Sequence, residues 1–424
     1  MRILHISTRL ILGGSQENTV LSCEGQANLG HDVHLAFGPI HGPEGSLIDR
    51  VTSFRTLPLK AVSIGLRAEA PAAASDAPTA QAPLPTAPPR GITTHEIKDL
   101  VRELAPITDF DCYRALKRLI RNLAPDIVHT HSSKAGIIGR AAAWEVGDRQ
   151  GRIGVVHTIH GPPFHAYESS WRNRLYVESE RFAAKRCHRI VSVADAMTRQ
   201  FLARGIGRPA QYVTVYSGME TEAFLHAAPG ESREEVRAAL GLDPGDLVIG
   251  TVARLAELKG HDDLLDALAP DLSRHPALKL LWVGDGHLRA RLEDRVRTLG
   301  VSRQVLFTGL MPPQRIPGIM RALDVLAHPS YREGLPRTVP QALLAGTAVV
   351  ASDTDGTPEI VEDKVTGRLV PTGDPSALRE AVLWMLEDEP RRRATAERGR
   401  ALCAERFSAA RMVAELEKVY AACR

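Results

Sequence analysis

The feature that most constrains this chain is an alternation that runs through it twice: a short apolar run, a polar loop, then a segment of helical period. The first pass opens at Ile3 to Ser7, which reads as a buried strand. Gly13-Gly14 follows, then a helical pattern from Gln16 to Leu29 that Gly30 stops, and strand character resumes from Val33 to Phe37. Two parallel strands need a crossover, and a helix is the usual one, so this unit opens a doubly wound parallel sheet. The alternation continues through strands at Asp126 to His129, Gly154 to Thr158, Arg189 to Val193 and Tyr212 to Tyr216. Helical patterns at Arg114 to Leu123, Ala135 to Ala143 and 172–188 lie between them. A second pass follows, with strands at Leu247 to Ala253, Lys279 to Val283, Val305 to Thr308, Val325 to Ala327 and Ala348 to Ala351, and helices that include Leu264 to Leu268 and Leu288 to Leu299. At 424 residues the chain exceeds one ordinary core, so two α/β domains of Rossmann-like type are expected, divided near residue 212.

Residues 68–91 interrupt the first pass. Of the 23 residues 68–90, 15 are Ala or Pro and none is aromatic, a composition that cannot offset its ordering entropy by burial. The segment is expected to be a disordered loop inserted within the first domain, because the alternation resumes after it. Charge is uneven: residues 1–212 hold 26 Lys and Arg against 19 Asp and Glu, while residues 213–424 hold 27 against 31. A basic first domain suits an anionic partner, although solubility explains so mild an excess equally well. No nucleic-acid partner is expected. Five cysteines without C-x-x-C pairing fit free thiols in a reducing compartment. No signal peptide is read at Met1, and no run approaches the ~18 apolar residues of a membrane span. A cytoplasmic protein is expected, at most peripheral at the inner face of the membrane.

Two stretches of the second pass carry the chemistry. His328-Pro-Ser-Tyr-Arg-Glu333-Gly334-Leu335-Pro-Arg-Thr-Val-Pro340-Gln341 ends an apolar run in a turn and feeds a helix predicted to start at Pro336 and stop before Gly346. Free amides at such a turn suit a diphosphate, and a carboxylate beside them suits neutral sugar hydroxyls. Gly250-Thr-Val-Ala-Arg254-Leu-Ala-Glu-Leu-Lys259-Gly260 sets two cations five residues apart after a strand. A guanidinium fork and an ammonium would stabilise the charge that develops on a departing nucleoside diphosphate. Charged loop residues are usually just solvated, so it is the pair of motifs, in this order, that favours a site.

Together these motifs resemble the E-x7-E and R-x4-K-G signatures of the retaining family-4 glycosyltransferases of the GT-B fold. The resemblance covers nearly the whole chain apart from 68–90. It implies an acceptor-binding domain over 1–212, a nucleotide-sugar-binding domain over 213–405 and a C-terminal helix over 406–424 that packs back on the first domain. It assigns Arg254, Lys259, Gly334 and Leu335 to the donor diphosphate and Glu333 to the donor sugar. It also assigns Gly14 of the first-domain glycine loop to the donor and His160, in His157-Thr-Ile-His160-Gly161, to the transferred sugar. His160 and Glu333 are thus the expected catalytic residues, and Glu17, His131, Ser132 and Lys134 are expected to meet the acceptor.

The sequence departs from the family in two places. Gln341 stands where the second Glu would grip ribose; an amide can still accept from a hydroxyl, without charge-assisted strength. Pro340 predicts a helix that is kinked or begins late. Gly13-Gly14 is not a G-x-G-x-x-G, so a dinucleotide cofactor is disfavoured. His129, His131, His157 and His160 could form a zinc site, but no Cys or carboxylate accompanies them, and no metal or other cofactor is expected. Asp109-Phe-Asp111 imitates a metal-binding D-x-D but reads as a helix cap. Carboxylates at glycosidase spacing are not evident. The implied partners are a UDP- or GDP-sugar and a glycan or polyprenyl-phosphate-linked acceptor of envelope synthesis, with the basic first domain as a membrane contact. Arg114, Lys117, Arg118 and Arg121, with Lys134 and Arg140, would suit a phosphate-bearing lipid. The rivals are a sugar-nucleotide epimerase and a non-catalytic nucleotide-sugar-binding protein.

Overall fold

The computed structural model describes residues 1–40, 45–56, 91–103, 105–147 and 152–423, so the Ala/Pro-rich segment 68–90 lies outside the described residues. The first pass forms a seven-stranded sheet of β1 (Arg2–Ser7), β2 (Asp32–Phe37), β3 (Thr93–Glu96), β4 (Ile127–His131), β5 (Gly154–Ile159), β6 (Arg189–Ser192) and β7 (Tyr212–Thr214). The second forms a six-stranded sheet of β8 (Leu247–Val252), β9 (Leu278–Val283), β10 (Val305–Gly309), β11 (Val325–His328), β12 (Ala348–Ser352) and β13 (Arg368–Val370). Every strand pair is parallel. Two doubly wound α/β units with this strand order are the GT-B architecture expected from the sequence.

The strand orders are β3-β2-β1-β4-β5-β6-β7 and β10-β9-β8-β11-β12-β13. Each sheet therefore reverses direction once, between β1 and β4 and between β8 and β11. The loops leaving the carboxyl ends of those strands diverge and open a crevice, where such sheets bind ligands. Helices cover both faces, so β4 and β5 are buried along their whole length. That cover also traps His129, His131 and His157 inside the sheet.

The final helix, Ala409–Ala421, buries Met412, Val413, Leu416, Val419 and Tyr420 against Ile3, Leu21, Ile127 and Val156 of the first sheet and its first helix. Their spacing is one apolar stripe of a 3.6-residue helix, and each such side chain contributes roughly 1.5–3 kcal/mol on burial. Strands β3 and β13, the helix Glu389–Arg406 and the first two turns of the helix Pro106–Leu123 were not apparent in the sequence pattern.

The expected helix start at Pro336 is corrected: the helix runs Thr338–Leu344, with Arg337 as its cap. Pro340 is consequently the third helical residue. First-turn amides have no intrahelical acceptor, so its missing N–H costs no backbone bond, and of the two outcomes predicted for Pro340 the late start is the observed one.

Candidate active site

The two switch points meet. Gly334, in the loop after β11, lies so close to the loop after β5 that a Cβ on it would stand 1.9 Å from the carbonyl oxygen of His160. Only glycine permits this approach. Gly14 packs likewise on the second half, where a Cβ would come 2.7 Å from Cδ of Arg337. Arg337 then bridges the halves: its Nη2 pairs with Glu17 Oε1 at 3.0 Å, and its Nη1 donates to the Gly218 carbonyl at 3.0 Å. Arg332 donates across the same seam to the Pro162 carbonyl. Asp355 accepts the Glu333 N–H at 2.6 Å and, through its other oxygen, the Gln200 amide at 2.6 Å.

Within this seam Glu333 Oε1 is 2.5 Å from Lys259 Nζ and 3.3 Å from His328 Nε2. Burial alone would raise the carboxyl, but the Lys259 charge and the His328 imidazole outweigh it and hold Glu333 well below the usual carboxylate range. Glu333 is therefore an anion at neutral pH, with Oε2 left to accept from a hydroxyl. The Gly334 and Leu335 N–H groups have no acceptor among the described residues, as a diphosphate-binding turn requires. Gln341 is half-buried on the helix that follows, and its side chain makes no hydrogen bond among the described residues.

The loop after β8 supplies the cations. Arg254 is exposed and has no ion pair among the described residues, so its five donors are open to an anion. Leu258 takes a left-handed φ of 64°, pinned by the Tyr331 N–H donating to its carbonyl at 2.9 Å. A bulky residue held there is strained backbone beside Lys259. Gly260 follows at φ 70°, where a Cβ would meet the Pro329 carbonyl at 2.1 Å, so the glycine of the motif lets the β8 and β11 loops close on each other.

On the first-sheet side, His160 Nε2 lies 3.2 Å from His131 Nδ1. Burial and the Arg337 charge push His160 down to about 3, so it is neutral. Ser132 holds a φ of 62° and shares a 2.7 Å hydrogen bond with Thr8. Of the expected acceptor residues, Glu17 is already paired with Arg337, and Lys134 with Asp109 at 2.5 Å and with the Glu103 carbonyl. Either can reach an acceptor only by exchanging those partners. Asp109 also accepts the Ala105 N–H at 3.3 Å, which accounts for the D-x-D lookalike as a helix-start contact. Arg140 is withdrawn from the lipid-facing cations, being fully buried with Glu180 at 2.7 Å.

Sequence reasoning missed Arg332, Arg337, Asp355 and Gln200, whose role depends on which residues face across the seam. It also missed His5, although a histidine inside the apolar run Ile3 to Ile6 was a visible signal of a buried polar contact. The histidines that cluster at ligand distance are His5, His129 and His131, rather than the set read from the sequence.

Comparison with known proteins identifies the family and the fold. The family model for glycosyl transferases group 1 matches residues 232–402, and that for the glycosyl transferase 4-like domain matches residues 13–218. A D-inositol 3-phosphate glycosyltransferase of Corynebacterium aurimucosum is 31% identical over 312 residues, covering 70% of this chain and 71% of its own. An Escherichia coli UDP-Gal:alpha-D-GlcNAc-diphosphoundecaprenol alpha-1,3-galactosyltransferase is 28% identical over 69% of this chain and 74% of its own. Among solved structures, Anabaena HepE in complex with UDP and glucose superposes with a TM-score of 0.77 at 19% identity, over 99% of each chain. The chain belongs to the group 1, family-4-type glycosyltransferases of the GT-B fold.

Proposed function

We propose that this enzyme moves a hexose from a UDP- or GDP-sugar to a glycan or lipid-linked acceptor of envelope polysaccharide synthesis, with retention of configuration and without a metal. The observation that carries the reading is the pairing of an open guanidinium, Arg254, with a half-buried Lys259–Glu333 pair at the second switch point, opposite His160 in the loop after β5. Arg254 and Lys259 would take the diphosphate, and the Gly334 and Leu335 amides would complete its cradle. Glu333 Oε2 would accept from hydroxyls of the donor sugar, with Lys259 and His328 fixing its orientation. A carboxylate so firmly ionised is no general acid. Retention then follows if the leaving phosphate takes the acceptor proton on the face it vacates. Arg254 and Lys259 would spread that charge.

The relative whose name specifies a diphosphoundecaprenol-linked substrate supports a lipid-linked acceptor and a uridine donor. The surface supports a peripheral membrane contact as well. On the helix Pro106–Leu123, Ile107 and Phe110 are 82% and 59% exposed, and Arg114, Arg118 and Arg121 continue the same helical stripe, also exposed. Apolar tips followed by cations suit an anionic bilayer.

The test is a panel of UDP- and GDP-sugars, scored for nucleotide release with and without polyprenyl-diphosphate-linked saccharides. One donor should release nucleotide faster with acceptor present. Isomerised donor formed without acceptor would identify an epimerase, and tight donor binding with no release would identify a binding protein.

A further inference from the structure

A continuous chain of side-chain hydrogen bonds, buried beyond its half-buried His160 end, runs from His160 through the first sheet into the final helix. His160 Nε2 meets His131 Nδ1 at 3.2 Å, and His131 Nε2 meets His5 Nδ1 at 2.9 Å. His5 Nε2 meets Gln26 Oε1 at 2.7 Å, and Gln26 Nε2 donates to the Tyr420 hydroxyl at 2.9 Å. Tyr420 continues to His129 Nδ1 at 2.6 Å, and His129 Nε2 to Thr158 Oγ1 at 2.7 Å. His5, Gln26, His129, His131 and Tyr420 are each 1% exposed or less.

Neutral imidazole has one donor and one acceptor nitrogen, so each link fixes the next. Burial holds His5 down to about 4 and keeps His129 and His131 well below the ordinary imidazole range, so all are neutral at pH 7. The Gln26 oxygen can only accept, so His5 must carry its proton on Nε2. Its bare Nδ1 then requires His131 to donate from Nε2, and the bare His131 Nδ1 requires His160 to donate from Nε2. In the other branch Gln26 donates to Tyr420, which donates to His129 Nδ1, so His129 also carries its proton on Nε2. His160 is left with an unprotonated Nδ1, an acceptor for a hydroxyl in the seam.

We propose that Gln26 and Tyr420 are positioning residues, which lock His5, His131 and His160 into one tautomer and so present His160 to the substrate as a hydrogen-bond acceptor. This rests on the reading of His160 as a contact to the transferred sugar. It gives the final helix a role beyond packing, since Tyr420 ties the end of the chain to the site. It also accounts for the histidine cluster without a metal. Ligand-capable atoms of His5, His129 and His131 lie within 4.8 Å of one another, yet all six of their ring nitrogens already have hydrogen-bond partners.

The test is a double-mutant cycle with a spectroscopic arm. Gln26→Leu keeps the side-chain size and removes both links, and Tyr420→Phe removes one. Each should lower kcat about tenfold with donor KM within about twofold, the scale of one buried hydrogen bond. In a His160→Ala background the same substitutions should change kcat by less than about twofold, because the group they position is gone. Losses that persist in that background overturn the proposal. His160→Ala with full activity overturns the reading of His160 itself. Nitrogen-15 spectra of histidine-labelled enzyme give an answer independent of activity. Comparison of wild type with His160→Ala should show the His160 resonance with a bare Nδ1, and Gln26→Leu should show mixed tautomers. A protonated His160 Nδ1 in the wild type, or one zinc per chain in the purified enzyme, would also overturn the proposal.

Discussion

Replacing Gly334 by alanine perturbs the seam at its narrowest point. The added Cβ would stand 1.9 Å from the His160 carbonyl oxygen and 2.8 Å from its carbonyl carbon. An ordinary contact of that kind needs about 3.4 Å, so the two loops must separate by roughly 1.5 Å. Neither neighbour is the end of a flexible side chain, so local rotation cannot relieve the clash, but a small opening of the cleft can. Stability should therefore change little, with Tm within a few degrees of wild type. Catalysis should suffer far more. In the proposed complex the donor phosphates would lie on one side of the seam and His160 on the other, and a misplacement of about 1 Å between reacting groups costs on the order of 100-fold. Nucleotide release with the best donor of the panel measures kcat/KM, and calorimetry measures donor affinity, which should fall much less than turnover. Gly161→Ala is the control, because its Cβ would have no atom nearer than 3.9 Å. If Gly334→Ala turns over within threefold of wild type, the loops do not close on substrate as they close here, and the seam is not the reacting geometry.

Three further outcomes follow from the same geometry. Gln341→Glu should tighten donor binding several-fold in calorimetry, since a charge-assisted bond to ribose gains about 1 kcal/mol over a neutral one; weaker binding would remove Gln341 from the ribose site. Acid should unfold the protein early. His5, His129, His131 and His157 are buried and held below the unfolded value of 6.5. As pH falls from 6 toward 5 the unfolded chain takes up protons that the native one refuses, so stability drops by about 1.2 kcal/mol per histidine and about 5 kcal/mol together. That is a large share of a typical 5–15 kcal/mol, and denaturant midpoints that stay flat between pH 6.5 and 5 would contradict it. Replacing Arg114, Arg118 and Arg121 by Gln should cut partitioning onto anionic vesicles by about 100-fold at low salt, with neutral vesicles unaffected, at about 1 kcal/mol for each cation; equal partitioning would move the membrane contact elsewhere.

How much of this was legible in the sequence depended on range. The strands announced themselves through local apolar runs, because parallel strands buried on both faces leave a continuous signature. Edge strands β3 and β13 did not: β3 is Thr-Thr-His-Glu with no apolar residue, and in β13 only Val370 is buried. Arg254, Lys259 and Glu333 were singled out by their spacing after strands, and the structure brings Lys259 and Glu333 together at 2.5 Å. Glu17 and Lys134 were expected to meet the acceptor; the partners they have in the structure, Arg337 and Asp109, are chosen by packing between distant segments. Gln26 and Tyr420 are separated by 394 residues and carried no local mark. Pro340 misled only about mechanism: the late start it allowed is what occurred, because its ring falls where helix amides have no acceptor.

The most direct test of the central claim is donor-nucleotide affinity at the β8 loop. UDP and GDP binding should be measured by calorimetry for wild type, Arg254→Ala, Lys259→Ala and the double variant. The nucleotide that the enzyme uses should lose about 2–4 kcal/mol of binding in the double variant; the unfolding midpoint should be unchanged in Arg254→Ala and lowered in Lys259→Ala, where Glu333 loses its counter-charge. Wild-type affinity in the double variant would mean that the diphosphate lies elsewhere, and the account of this seam as the donor site would be wrong.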